Sequence, residues 1–205
     1  MTKFYIADTH FRHGNILRFD KRPWVSLEDM EQAMISRWNK RVNNNDDIYI
    51  LGDFCWSGNA DVWAGILSQL NGRKYLITGN HDLKQFPQKV TAYLMQKPVP
   101  YKEIDDDGRK VVLCHYPLLM YRHDFNPKVY MICGHVHVTL ENILLEDFKD
   151  RLSELRQEGR PTPLGQIYNV GCMMPWMAYT PKTLDEIIQG YGQWKTAHDL
   201  LTKNT

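Results

Sequence analysis

Five short apolar runs punctuate this chain, and each ends in residues that can hold a metal ion or move a proton. Phe4-Tyr5-Ile6-Ala7 leads into Asp8 and His10, and Asp47-Ile48-Tyr49-Ile50-Leu51 into Gly52-Asp53. Tyr75-Leu76-Ile77-Thr78 leads into Gly79-Asn80-His81-Asp82, and Lys110-Val111-Val112-Leu113-Cys114 into His115. Val129-Tyr130-Met131-Ile132-Cys133 leads into Gly134-His135-Val136-His137. Runs this short, rich in β-branched and aromatic residues and bounded by turn residues, read as buried strands. Polar groups just past the carboxyl ends of strands are where α/β sheets place their sites. A lone Gly-Asn-His-Asp reads as a turn, because Gly and Asn tolerate positive φ. Its recurrence with the other strand ends makes a constellation, and the fold must bring those ends together.

The segments between the runs set the connections. Ser26–Val42 is predicted to be a helix, capped by Ser26 with Asp29 and carrying Leu27, Met30, Met34, Trp38 and Val42 on one face. Asn59–Leu70 is predicted to be a second helix, with Asn59 as its cap. Strand–helix–strand–helix–strand implies parallel crossovers. Asp105-Asp106-Asp107-Gly108 reads as a hairpin tip, since the spacing of a calcium loop is absent. An amphipathic helix is expected over 143–157 and a last strand over 166–171. A final helix opens with a capping box at Thr183–Glu186, is weakened by Gly190 and Gly192, and is expected to fray over 190–205. With no repeat or linker, residues 1–205 are expected to form one domain.

Composition excludes several classes. The formal net charge is +1, too balanced for a large nucleic-acid-binding surface. No apolar run approaches the ~20 residues of a membrane helix. Met1-Thr2-Lys3-Phe4 runs directly into a strand, so no leader is expected. Cys55, Cys114, Cys133 and Cys172 are scattered without a Cys-x-x-Cys pair. A reduced, cytoplasmic protein is expected. Cys55 reads as a packing residue, and Cys172 is expected where the chain returns near the site, with no sign of a redox role.

The ligand candidates are Asp8, His10, Asp53, Asn80, His115, His135 and His137. Asp-x-His and His-x-His place both side chains on one side if the chain is extended. So many donors suit two ions better than one, and only Asp53 is central enough in the series to bridge them. Imidazole, carboxylate and amide together favour Mn, Fe, Zn or Ni over Mg or Ca. The 11–23 loop offers Arg12, His13 and Asn15 as substrate contacts, while Arg18 and Arg22 read as solvated. His123 also reads as a solvated loop residue.

The order Asp-x-His, Gly-Asp, Gly-Asn-His-Asp, His, Gly-His-x-His resembles the calcineurin-like metallophosphoesterase family. Ala7–Phe11, Asn15-Ile16 and Arg22-Pro23-Trp24 resemble its small bacterial and phage members. The resemblance implies an α/β (mixed α+β) fold, a sandwich of two mixed β-sheets flanked by helices. It implies two divalent transition-metal ions, with Mn first among them. Asp8, His10, Asp53 and His137 would hold one ion, and Asp53, Asn80, His115 and His135 the other. His81 would face the substrate, and Asp82 would orient His81. The expected activity is a metal-dependent phosphohydrolase, preferably a phosphodiesterase. Hydroxide formed at the ion pair would attack phosphorus while His81 assists the leaving group. The expected substrate is a small, nucleotide-derived phosphate ester. Phosphomonoesterase and nuclease are the alternatives; the latter would use a patch of Arg12, Arg18, Arg22, Trp24 and Trp56. An inactive binding scaffold is disfavoured because the ligand set and His81 are intact.

Overall fold

The computed structural model describes the backbone of residues 1–202 and the side chains of residues 1–198. Two sheets carry the site. The first has the order β1 (Lys3–Ile6), β2 (Asp47–Leu51), β3 (Arg73–Ile77), all parallel. The crossovers run through a helical turn α1 (Ile16–Phe19), then α2 (Leu27–Arg41), and through α3 (Ala60–Leu67). The second sheet is mixed, with β4 (Tyr101–Asp106) antiparallel to β5 (Arg109–Cys114), then β6 (Val129–Cys133) and β7 (Ile167–Asn169) parallel to it.

Local chemistry accounts for the element ends. The Ser26 hydroxyl accepts the Asp29 N–H at 3.1 Å, and Asn59 Oδ1 accepts the Asp61 N–H at 2.8 Å. These caps satisfy donors that have no intrahelical partner. Asp107 and Gly108 take φ of 54° and 75° at the β4–β5 tip, the left-handed pair that a tight hairpin needs. The segment 83–100, irregular by sequence, holds a turn α4 (Asp82–Gln85) and a 3₁₀ stretch at Gln88–Tyr93.

The first sheet is buried along β2 and at the carboxyl ends of β1 and β3, which explains the apolar runs there. Phe4 lies beneath Arg41 of α2, while Tyr5, Tyr49 and Tyr75 stack across the three strands at 5.7 and 4.8 Å. Tyr5 reaches the second sheet by donating to Asp106 at 2.8 Å. The two sheets also meet where Ala7 pairs with Gly171, just past β7.

Two more helices complete the chain. α5 (Leu140–Gln157) starts one turn earlier than expected. α6 (Leu184–Thr202) opens on the Thr183–Glu186 capping box and runs through Gly190 and Gly192. Helical backbone continues to Thr202 through the stretch expected to fray; residues 203–205 lie outside the described residues. Among the described residues no helix is long and apolar enough to cross a membrane.

Candidate metal centre

The loops past β1 and β2 continue the parallel pairing beyond the strands. Asp8 donates its N–H to Gly52 O at 3.1 Å, His10 to Asp53 O at 3.0 Å and Phe11 to Phe54 O at 2.9 Å. Trp56 then donates back to Phe11 O at 2.7 Å. This ladder sets Asp8, His10 and Asp53 side by side.

The way these side chains come to face one another differs from the expected strand alternation. Asp8 and His10 lie past β1, in left-handed backbone with φ of 55° and 50°. Asp53, His135 and His137 are left-handed too, at 51°, 72° and 29°. Such residues cost of order 1–3 kcal/mol each and persist only where surroundings hold them. Here the holding groups are visible. The Asp8 carboxylate accepts the His135 N–H at 3.1 Å, and Asp53 Oδ1 accepts the His81 N–H at 3.0 Å.

Crowding explains the glycines. A Cβ at Gly79 would lie 2.2 Å from Asp53 Oδ1, and one at Gly52 would lie 2.5 Å from His115 Nδ1. Gly52 also takes a φ of +84°, which side chains rarely adopt.

The donors gather in two overlapping groups. Atoms of Asp8, His10 and His137 lie within 4.8 Å of one another, as do those of Asp8, Asp53 and His115. His10 Nε2 is 3.3 Å from His137 Nε2, and Asp53 Oδ2 lies 3.6 Å from His115 Nε2 and 3.9 Å from His10 Nε2. Asn80 Oδ1 is 3.0 Å from His115 Nε2, and the His135 ring lies 5.1 Å from the His115 ring.

The cluster fits cations on its own chemistry. Asp8 and Asp53 are buried carboxylates, and among the described residues no Lys or Arg side chain reaches either carboxyl. Such a pair demands compensating charge. Burial, with the Asp8 charge adding to it, pushes Asp53 up to about 6. At Asp8 burial is outweighed by the His137 hydrogen bond and the nearby imidazoles, and the carboxyl falls well below its usual range. Burial carries His10 well below the ordinary histidine value, leaving the neutral imidazole that ligates metals.

The sequence offered no sign of what stands behind His137. Asp20 Oδ1 lies 2.7 Å from His137 Nδ1. Burial opposes the charged imidazole, but Asp20 and Asp8 together raise His137 to about 10. With an ion in place of the Nε2 proton, a carboxylate on the far ring nitrogen would fix the tautomer that presents Nε2. Asp20 is held in turn by Arg22, whose guanidinium also donates to the backbone oxygens of Asp8 and Thr9 at 2.8 and 2.9 Å. Arg22, expected to be solvated, is therefore buried and braces the β1 loop.

Asp82 also departs from expectation. Its fully buried carboxylate accepts N–H groups from Asp53 at 2.8 Å, Gly79 at 2.9 Å and Phe54 at 3.1 Å. It ties the β2 and β3 loops together instead of bonding to the His81 ring. Burial still outweighs these three donors and raises Asp82 to about 6. His81 stays partly exposed, with Nε2 3.7 Å from Asp53 Oδ2. Burial draws His81 somewhat below its ordinary value, against the pull of Asp82. A bound phosphate anion acts in the opposite direction.

Two clefts flank the cluster. One of about 440 Å³ is lined by His13, Asn15, Phe19, Trp56, His81 and Thr139, with His10 and His137 at its floor. The other, about 350 Å³, opens beside His135 between Tyr116, Pro117, Leu119 and Leu144. A larger hollow of about 610 Å³ runs along α6 past Trp176 and Trp194, lined by one carboxylate, Glu186, and by no histidine. Chemistry, not size, marks the site.

His13 and Asn15 lie where substrate contacts were expected, but Arg12 does not line the cleft. Its guanidinium pairs with Glu31 at 3.3 Å, and its N–H donates to the same carboxylate at 2.6 Å. Of the residues expected to form a nucleic-acid patch, Arg12 pairs with Glu31, Arg22 is buried and Trp24 packs edge-on against Tyr179, while Arg18 and Trp56 are exposed. His123 is exposed. Cys55 is buried; Cys172 lies beside Asp8 O at 3.2 Å, and burial pushes its thiol up to about 12, which keeps it protonated.

The chain is similar to several known proteins. An uncharacterized protein of Methanocaldococcus jannaschii, MJ1445, is 36% identical over 139 residues, covering 67% of this chain and 70% of that protein. The Gene 66 protein of Mycobacterium phage D29 is 28% identical over 128 residues, covering 56% of this chain and 63% of that one. The crystal structure of AQ665 from Aquifex aeolicus, a protein of unknown function, superposes with a TM-score of 0.65 at 27% identity, covering 91% of this chain and 97% of its own. The calcineurin-like phosphoesterase model matches residues 1–155, which contain every candidate ligand, and the chain belongs to that family.

Proposed function

We propose that this chain is a metal-dependent phosphodiesterase acting on a small, nucleotide-derived ester in the cytoplasm. The observation that carries the reading is the division of labour at the strand ends. Asp8, His10, Asp53, Asn80, His115, His135 and His137 would hold two divalent ions, with Asp53 between them. His81 stands beside this set and lines the cleft. The mixed donors suit Mn, Fe, Zn or Ni, and the family resemblance puts Mn²⁺ first among them. When bound, the ions supply Lewis acidity and lower the pKa of water enough for hydroxide to exist near neutral pH.

The chain's own groups do the rest. Asp53 holds the β2 loop against the β3 loop by accepting the His81 N–H. His81 delivers a proton to the departing ester oxygen, a contribution typically worth ~10²–10⁴ in rate. His13 and Asn15 contact the substituent on the His81 side. A diester is favoured because two separate clefts reach candidate ligands, one at His10 and His137 and one at His135, offering room for two organic substituents. The four cysteines are free thiols, as suits a reducing compartment.

The test compares bis-p-nitrophenyl phosphate with p-nitrophenyl phosphate, using protein stripped of metal and refilled with Mn²⁺. Faster diester cleavage is expected. His81→Ala should keep its metal content and lose ~10²–10⁴ in turnover. Preference for the monoester would reject the diesterase reading, and loss of metal from His81→Ala would reject the role given to that residue.

A further inference from the structure

We propose that Trp56 is the positioning residue for His81, taking the place that a carboxylate fills for many catalytic histidines. The inference rests on the reading of His81 as the leaving-group acid. Asp82 makes no bond to the His81 ring, and both of its oxygens accept backbone N–H groups instead. The indole of Trp56 packs against the His81 ring instead, at 4.4 Å between centroids and 53° between planes.

Trp56 is itself braced. Its ring stacks on His13 at 4.2 Å and 10°, and its backbone N–H donates to Phe11 O at 2.7 Å beside the Phe11–Cys55 bridge. His13 is anchored in turn by its N–H to His10 O at 3.1 Å. The line His10 loop, His13, Trp56, His81 thus joins a candidate ligand loop to the proton donor through packed rings. A stacked indole is rigid, with two side-chain torsions, and it confines His81 where a solvated cleft would let the imidazole change rotamer. Because His13 and His81 already pack on it, Trp56 is poorly placed to stack a substrate ring.

A misplaced proton donor costs most where the leaving oxygen is most basic. The experiment uses Mn²⁺-loaded protein and aryl methyl phosphodiesters whose leaving groups run from p-nitrophenol to phenol. Trp56→Ala is expected to lose roughly tenfold or more in kcat on the phenol ester but only about twofold on the p-nitrophenol ester. His81→Ala should show the same steepening more strongly. Trp56→Phe, which keeps a flat ring, should recover most of the loss, and metal content should stay unchanged in both Trp56 variants.

A uniform loss across the series in Trp56→Ala, with steepening in His81→Ala, would overturn the role of Trp56 alone. Uniform loss in both would overturn the reading of His81 as well. A readout independent of turnover uses ¹⁵N-labelled histidine. The indole ring current should shift the His81 ring signals in the parent chain, and Trp56→Ala should abolish that shift. His81 signals that do not move in Trp56→Ala would overturn the proposal.

Discussion

Behind His137, Asp20 acts as a single carboxylate with two obligations. It accepts from the His137 ring and from the buried Arg22 guanidinium. Removing its charge while keeping its shape should weaken the hold on His137 Nε2 without unfolding the loop. Asp20→Asn is expected to lower the affinity for one of two bound Mn²⁺ ions by ~10–100-fold. Competition against a chromophoric chelator measures this, and unchanged affinity would show that His137 does not depend on Asp20 for its tautomer. The sequence could not have marked Asp20. The rule that a ligating histidine leans on a carboxylate names a residue type, and only the folded loop chooses among the acidic residues.

At the scale of elements, the end of α6 nearest the sheets is set by a reciprocal cap. Thr183 Oγ accepts the Glu186 N–H at 3.3 Å, and Glu186 accepts the Thr183 N–H at 3.0 Å. Thr183→Ala should cost about 1 kcal/mol and lower Tm by roughly 2–4 °C, read by thermal denaturation. The acidic half of the cap has a pH signature. Burial raises the Glu186 carboxyl, but the Thr183 N–H and the Arg41 ion pair outweigh it and lower the net value. A carboxyl lowered on folding stabilises above its unfolded value and loses that contribution as pH falls through its folded one. The Tm gap between the parent chain and Glu186→Gln should therefore be widest near neutral pH and close below about pH 4. A gap that stays constant would assign the stabilisation to shape alone. This cap was legible in the sequence because all its partners lie within one turn.

The candidate ligands come from both sheets of the molecule. Asp8, His10, Asp53 and Asn80 follow strands of the first, whereas His115, His135 and His137 follow strands of the second. Ions bound between them would clamp the two sheets together. A ligand that binds only the folded chain adds about 2.7 kcal/mol at one hundred times its Kd, which corresponds to roughly 5–10 °C in Tm for a chain of this size. Mn²⁺ should raise Tm by that order, and Asp53→Ala should abolish the rise together with binding of both ions. A rise that survives in Asp53→Ala would remove Asp53 from the bridging position.

Strand positions, the parallel crossovers, the helix caps and the candidate donors could all be read from the chain. Each depends on residue type and short spacing: apolar runs of strand length, Ser26 with Asp29, and Asp or His immediately past a run. The tertiary structure decided the rest. It showed that Asp8 and His10 face the same way through left-handed turns, not through strand alternation. It committed Asp82 to three backbone donors, buried Arg22 against the Asp8 loop, and placed Asp20 and Trp56 beside the histidines they support. These are contacts between residues far apart in the chain, where the partner is set by packing and by the need to satisfy every buried polar group. Local pattern names the groups that can do the chemistry, and the folded chain assigns them their neighbours.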